Sequence, residues 1–145
     1  MGQMAEEDRI LGRWQLVPEL SVYQAGSPPA SGLYVISRSG DRFDFSISWQ
    51  TELGGPEVSV SFGGPGDGSV QSLNVPVDAP TGTPDALTIT RVDDAILDSE
   101  ARAAGRVVAY ARRQVSDDGQ LLAVMQEVRL PDGRGLRNFQ VYRRI

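Results

Sequence analysis

From residue 31 onward, hydrophobic and polar residues alternate along the chain, which is the pattern of β-strands with one buried face. The clearest run covers residues 42–50, where four apolar side chains share a face: Phe43, Phe45, Ile47 and Trp49. Runs of this kind predict ten strands, near residues 10–17, 31–38, 41–51, 57–63, 69–75, 86–92, 95–101, 106–115, 120–130 and 135–144.

Turn sequences rich in Gly and Asp separate these runs, for example Ser39-Gly40-Asp41 and Asp117-Asp118-Gly119. Such short turns fold consecutive strands back antiparallel to one another. A meander of ten strands leaves two unpaired edges in an open sheet, and closing the sheet removes them. The sequence therefore predicts an all-β fold, a single antiparallel meander β-barrel of about eight to ten strands, with a two-sheet sandwich as the alternative.

The longest irregular segment is residues 18–30, where Pro18, Gly26, Pro28 and Pro29 prevent a regular element. We expect this loop to cover one mouth of the barrel. Helix is predicted only as one or two turns at residues 4–11, with a helical propensity at 98–104 inside a hairpin. The absence of a linker or repeat predicts one domain over residues 1–145.

The chain contains no Cys, no His and no Lys, since all 14 basic residues are Arg. These absences exclude thiolate nucleophiles, disulfides, His-based triads, a haem axial histidine, Schiff-base lysines and P-loops. An enzyme built on this chain would have to use carboxylates. We therefore expect neither a metal nor a cofactor, and we assign no catalytic residue.

The net charge of −5 disfavours the phosphate contacts on which nucleic-acid affinity depends, so we expect no nucleic-acid partner. No run of about 18 apolar residues is present, so we expect no membrane insertion. The polar, acidic N-terminus lacks the pattern of a secretory signal and predicts a soluble, cytoplasmic protein. A signal peptide removed from a longer precursor is the alternative.

An eight- to ten-stranded barrel can hold one small ligand among its inward side chains. A solid apolar core is the alternative interpretation of the same residues. The candidates for the cavity lining are Phe43, Phe45, Ile47, Trp49, Phe62, Tyr110, Leu122, Val124, Val128 and Phe139.

Two polar strand residues, Arg112 and Gln126, are candidates for holding the polar end of a ligand beside Tyr110. Adjacent strand residues point to opposite faces, so only one of Arg112 and Arg113 faces inward. The parity that Arg112 shares with Val108 and Tyr110 favours Arg112 as the inward residue.

Short motifs are distributed along nearly the whole chain. They are Gly12-x-Trp14-x-Leu16, Ser21-x-Tyr23-x-x-Gly26-x-Pro28-Pro29, the stretch from Pro84-Asp85 to Thr90-Arg91-Val92-Asp93, Gly105-Arg106-Val107-Val108, Arg112-Arg113-x-Val115-Ser116-x-Asp118-Gly119 and Val141-Tyr142-Arg143-Arg144. With these motifs the chain resembles the lipocalin-like proteins of the calycin superfamily, and more closely the small bacterial lipocalin-like proteins of unassigned role.

In such barrels the tryptophan of Gly-x-Trp plugs the closed end, and an arginine of the last strand lies against its ring. The resemblance thus implies a structural plug of Trp14 and Arg143, with Arg144 as the alternative; inward-facing Phe139 and Val141 would turn Arg143 inward. The fatty-acid-binding branch has a helical lid, which the Pro-rich loop cannot form. That branch also carries a last-strand Arg-x-Tyr, which is Gln140-Val141-Tyr142 here, so a fatty acid is disfavoured.

These observations favour a non-enzymatic binding module that takes a small, largely apolar ligand into the barrel. One alternative is a carboxylate-based isomerase, cyclase or hydrolase, with Glu127, Asp44 or Glu100 as the base. Another is a structural or interaction protein with a filled barrel, which dimerises through a strand edge.

Overall fold

The computed structural model describes residues 8–145, and residues 4–7 of the predicted N-terminal helix lie outside this range. Residues 8–11 form a turn rather than a helix. A single 3-10 turn spans Pro18–Leu20. The strands are β1 Gly12–Leu16, β2 Val22–Tyr23, β3 Ser31–Ser39, β4 Arg42–Gln50, β5 Glu57–Pro65, β6 Gln71–Ser72, β7 Ala86–Asp93, β8 Ile96–Ala103, β9 Arg106–Val115, β10 Leu121–Arg129 and β11 Gly135–Arg144.

All strands belong to one antiparallel sheet with the order β5-β4-β3-β1-β11-β10-β9-β8-β7-β6, and β2 pairs with β11. From β3 to β5 and from β6 to β11, strands adjacent in sequence are paired, and β5 and β6 are the two ends of the order. The first strand, β1, lies between β3 and the last strand. There Trp14 is opposite Tyr34 on one side and Arg144 on the other. The predicted all-β meander barrel is confirmed.

The two ends of the sheet meet through the residues that follow β5 rather than through a full ladder. The Arg91 amide donates to the Gly66 carbonyl at 2.8 Å, and the Gly68 amide donates to the Ile89 carbonyl at 2.8 Å. Gly66 is required for this approach because a Cβ there would lie 2.7 Å from the Phe43 ring. The barrel is therefore nearly closed at the end where these residues lie.

Most predicted strands agree with the observed ones to within two residues. The strand predicted at 69–75 is reduced to β6, and the segment 98–104 with helical propensity lies mostly in β8. The loop at 18–30 contains the short strand β2, which alternation could not predict from two residues. This strand pairs with β11, which is distant in the sequence.

The closed half of the barrel is filled by apolar side chains. Trp14 is fully buried and its indole Nε1 donates to the Ile10 carbonyl at 3.1 Å. Burial of several large side chains in one cluster supplies most of the stability expected of such a core. The largest fully buried side chains are Trp14, Phe43, Phe45, Ile10, Ile36, Ile89, Leu97 and Leu122.

Arg144, and not Arg143, forms the plug with Trp14. The Arg144 guanidinium lies 4.1 Å from the centre of the indole ring system. Arg143 faces outward and donates instead to the Gln15 side chain at 3.0 and 3.1 Å. The preferred assignment was therefore wrong, because the inward residues of β11 are those in register with Trp14 and Leu16, namely Arg144 and Tyr142.

The same register places Phe139 on the outer surface, where 40% of the side chain is exposed. Its expected inward orientation was wrong. The outer face of β11 carries the apolar residues Phe139 and Val141, and β2 pairs with β11 beside Phe139. Val141 is buried there, with its amide donating to the Ser21 hydroxyl at 3.0 Å and its carbonyl accepting from the Val17 amide at 2.8 Å.

An ion cluster lies beside the hydrophobic plug at the closed end. Asp8 is 4% exposed and accepts two hydrogen bonds from Arg91, at 2.8 and 2.9 Å. Arg38 donates to the same carboxylate at 3.0 Å. Through Asp8, the cluster joins the chain before β1 to Arg38 on β3 and to Arg91 on β7.

Candidate ligand-binding cavity

A cavity of about 610 Å³ occupies the open half of the barrel. This volume lies within the range of sites that hold drug-sized ligands. The cavity is lined by Leu16, Tyr23, Ser27, Pro29, Gly32, Tyr34, Ile47, Trp49, Thr51, Val60, Phe62, Leu73, Pro84, Leu87, Ser99, Ala101, Ala109, Tyr110, Ala111, Arg113, Val124, Gln126, Asn138, Gln140 and Tyr142.

The alternation along the strands explains why the cavity is open rather than filled. The consecutive inward positions of β9 hold Ala109 and Ala111, and Ala101 lies opposite Ala109 on β8. Methyl side chains on two adjacent strands leave space that larger residues would fill. On the opposite wall Val60 is 43% exposed, so the cavity reaches solvent near the loops.

The predicted lining residues divide into two layers and a group that does not line the cavity. Those that line the cavity are Ile47, Trp49, Phe62, Tyr110, Val124 and Gln126. Those buried in the core below it are Phe43, Phe45 and Leu122, each at most 1% exposed. Outside the cavity lining are Phe139, Val128 and Arg112. Phe45 stacks on Phe62 at a centroid distance of 4.8 Å, which joins the two layers.

Arg113 is the inward arginine of β9, and the preference for Arg112 was wrong. Arg112 makes two hydrogen bonds of 2.8 Å with the Asp98 carboxylate on the outer face, and this partner raises the pKa of the Arg112 guanidinium. The parity argument failed because the register shifts opposite Ala101 and Arg102, so Val108 lies in a bulge. Counting back from buried Val115 would have identified Arg113.

Arg113 lies at the floor of the cavity and is 2% exposed. Its Nε donates to the Tyr34 hydroxyl at 2.6 Å. Its guanidinium lies 4.6 Å from the Phe45 ring centre and 5.8 Å from those of Phe62 and Tyr34. Three aromatic rings therefore surround this cation.

The charge of Arg113 has no carboxylate within salt-bridge distance in residues 8–145. Its Nη1 atom is buried without a hydrogen-bond partner in this part of the chain. Contacts with aromatic rings stabilise a desolvated cation by about 2 kcal/mol. Removing an ion from water costs several kcal/mol, so these contacts alone leave Arg113 undercompensated.

A second polar row runs up the cavity wall from the floor. The Tyr142 hydroxyl donates to Gln140 Oε1 at 2.8 Å, and Gln140 Nε2 donates to the Tyr23 hydroxyl. Tyr142 also packs edge-on against Tyr34, with ring centres 5.4 Å apart. Burial is the main cause that raises the pKa of Tyr142, and it raises the pKa of Tyr23 as well.

The three carboxylates considered as catalytic bases lie away from the cavity. Asp44 pairs with Arg42 at 3.0 Å, and Glu100 pairs with Arg102 at 3.0 Å. Glu127 lies 3.3 Å from the nearest guanidinium nitrogen, that of Arg137. Within residues 8–145, no Asp or Glu lines the cavity. The same range holds no cluster of three or more potential metal ligands.

Sequence reasoning missed the residues that give the floor its chemistry: Arg113, Tyr34 and Tyr142. Tyr34 shares the inward face of β3 with Ile36, so alternation alone marks it as a core residue. Tyr142 lies between Gln140 and Arg144 on the inward face of β11, so alternation gives no signal for it. Their meeting with Arg113 depends on the register of β3, β11 and β9 around the barrel.

Between residues 8 and 145, no helix is long and apolar enough to cross a membrane. Comparison of the chain with models of known protein families gives no match, and comparison with curated proteins gives none either.

Proposed function

We propose that this protein is a lipocalin-like binding module of the calycin group, which takes a small, largely apolar ligand into the open half of its barrel. The observation that carries the proposal is the cavity of about 610 Å³ with an aromatic and aliphatic wall. An apolar ligand would displace water from that wall, which is the usual source of affinity in such sites.

The carboxylate-based enzyme is less well supported by the same geometry. Acid-base catalysis needs a titratable group within hydrogen-bond reach of the substrate. Asp44, Glu100 and Glu127 are engaged by arginines outside the cavity. The structural protein with a filled interior is disfavoured by the open volume above Arg113.

Titration with the neutral fluorescent probe N-phenyl-1-naphthylamine tests the proposal. We expect saturable binding at one molecule per chain, with a change in the fluorescence of Trp49, which lines the cavity. Trp14, the other tryptophan, is buried in the plug and provides an internal reference. The Trp49→Phe variant should lose the intrinsic signal while it retains probe binding.

The substitution Ala111→Phe places a ring inside the cavity and should reduce probe binding about ten-fold or more. Its matched control is Met125→Phe, on the outer face of the neighbouring strand, where the side chain is 53% exposed. Equal binding by the two variants, or no saturable binding by the wild-type protein, would overturn the proposal.

A further inference from the structure

We propose that the ligand carries a single carboxylate on its apolar body, and that this carboxylate binds at the cavity floor to Arg113 and Tyr34. The inference rests on the proposed function and specifies the chemical class of its ligand. It predicts an orientation in which the acid group enters first and the apolar body faces Trp49 and the loops.

The first argument is the set of hydrogen-bond donors without acceptors. Arg113 is 2% exposed, and its side chain makes one hydrogen bond within residues 8–145, to Tyr34. Because Arg113 Nε donates to Tyr34 Oη, the tyrosine keeps its own proton for another acceptor. In the described chain that proton has no acceptor, and Arg113 Nη1 has no partner. A carboxylate accepts from both groups at once. These donors lie on β9 and β3, so the absence of Arg-x-Tyr from the last strand, which disfavours a fatty acid held there, does not bear on this site.

The second argument is the contrast between buried Arg113 and two partly exposed arginines on neighbouring or nearby strand positions, Arg112 and Arg91. Arg91 and Arg112 each make two hydrogen bonds with a carboxylate of the same chain. Arg113 lies deeper than either, yet among residues 8–145 it has aromatic rings in place of an acid. Arg113, unlike Arg91 and Arg112, is therefore available to an acid from outside the chain.

The third argument is the shape of the route to Arg113. Ala109 and Ala111 lie above it on β9, and Val124 lies opposite on β10. These small or apolar side chains offer no competing charge between the mouth and the floor. The polar groups on the neighbouring strands β10 and β11 of that wall are neutral, namely the amides of Gln126, Asn138 and Gln140 and the hydroxyl of Tyr142. One anionic end and one apolar body match this distribution.

Displacement of N-phenyl-1-naphthylamine by matched acids and amides tests the inference. The pairs are decanoate with decanamide, and 1-naphthylacetate with 1-naphthylacetamide, each member of a pair having nearly the same size. We expect the acid of at least one pair to bind about ten-fold or more tightly than its amide. In Arg113→Met the ratio should fall to about one, while the neutral probe still binds.

Ligand-free Arg113→Met should unfold at a temperature no lower than the wild-type protein, because the substitution removes an undercompensated buried charge. If Arg113 is needed only for folding, the unfolding midpoint of Arg113→Met should fall below that of the wild-type protein. The wild-type protein should then show no preference for acid over amide, and this result would overturn the inference. Tyr34→Phe is the second variant. It retains the Arg113 cation and should lower the ratio of acid affinity to amide affinity several-fold.

The outcomes separate the inference from the proposed function. Saturable probe binding with equal affinity for acid and amide would overturn the carboxylate assignment and leave the binding module intact. No binding of the probe or of either pair would overturn both. Inorganic phosphate or chloride that stabilises the wild-type protein, but not Arg113→Met, with no acid preference, would identify an inorganic anion as the partner and overturn the inference.

Discussion

The guanidinium of Arg144 lies 4.1 Å from the indole ring of Trp14, and it also donates hydrogen bonds to the carbonyls of Leu11 and Gly119, each at 2.8 Å. One side chain thus covers the plug and holds the chain before β1 to the turn between β9 and β10. Gly12 makes room for it, because a Cβ there would lie 2.7 Å from Arg144 Nη1.

Arg144→Leu should lower the free energy of unfolding by about 2 to 4 kcal/mol, because backbone carbonyls lose their donors and the indole loses its cation. The adjacent Arg143→Leu is the control, since Arg143 faces outward and bonds only to Gln15 in the described chain; we expect a change within about 0.5 kcal/mol. Urea denaturation measures both. Similar effects of the two substitutions would contradict the assignment of Arg144 to the plug.

Asp8→Asn should destabilise the closed end, because it leaves Arg38 and Arg91 without their shared carboxylate. We expect a loss of about 2 to 3 kcal/mol, less than for a fully buried pair, since both arginines are about one-third exposed. The control is Asp94→Asn, which breaks the exposed pair with Arg9 and should have a smaller effect. Thermal and urea unfolding provide the comparison, and a reversed order would refute it.

Tyr142 should make the protein sensitive to alkali. Burial raises its folded pKa above the ordinary value of 10.0, so its contribution to stability is fully present below that value and is lost as the pH rises above it. Urea unfolding at several values between about pH 8 and 11 should show a falling free energy of unfolding. Tyr142→Phe should reduce that slope, and Tyr23 accounts for part of the remainder. Parallel curves for wild type and variant would exclude this role.

Two aromatic substitutions distinguish the inner from the outer face of the barrel. Phe62 lines the cavity and stacks on Phe45, whereas Phe139 lies outside and is 40% exposed. Phe62→Ala should weaken binding of N-phenyl-1-naphthylamine about three- to ten-fold, because ring contacts of this kind contribute about 1 kcal/mol. Phe139→Ala should leave the affinity unchanged. Loss of affinity in Phe139→Ala would show that the probe binds elsewhere.

The alternation at residues 42–50 was sufficient to predict β4 and its buried face. In a strand with one buried and one solvent-exposed face, apolar and polar residues alternate because successive side chains point to opposite faces. The same local signal, with Gly and Asp turns, predicted the antiparallel order of β7 to β11 and the closure into a barrel. Trp49, Phe62, Val124 and Gln126 also line the cavity, as their strand positions suggested.

The orientation of β9 and β11 could not be obtained from the residues of those strands alone. On β9, a bulge at Val108 breaks the parity between the start of the strand and Arg113. On β11, both faces carry large apolar or aromatic residues, Tyr142 on the inner face and Phe139 and Val141 on the outer face, so alternation does not distinguish the two sides.

Sequence alone thus determined the fold class, most strand boundaries and the apolar character of the interior, all of which follow from short-range periodicity and turn chemistry. Which arginine enters the barrel, which one covers Trp14 and how Tyr34 meets Arg113 depended on register between strands far apart in the chain. A shift of one residue turns every side chain of a strand to the other face, so these choices are made only when the sheet is assembled.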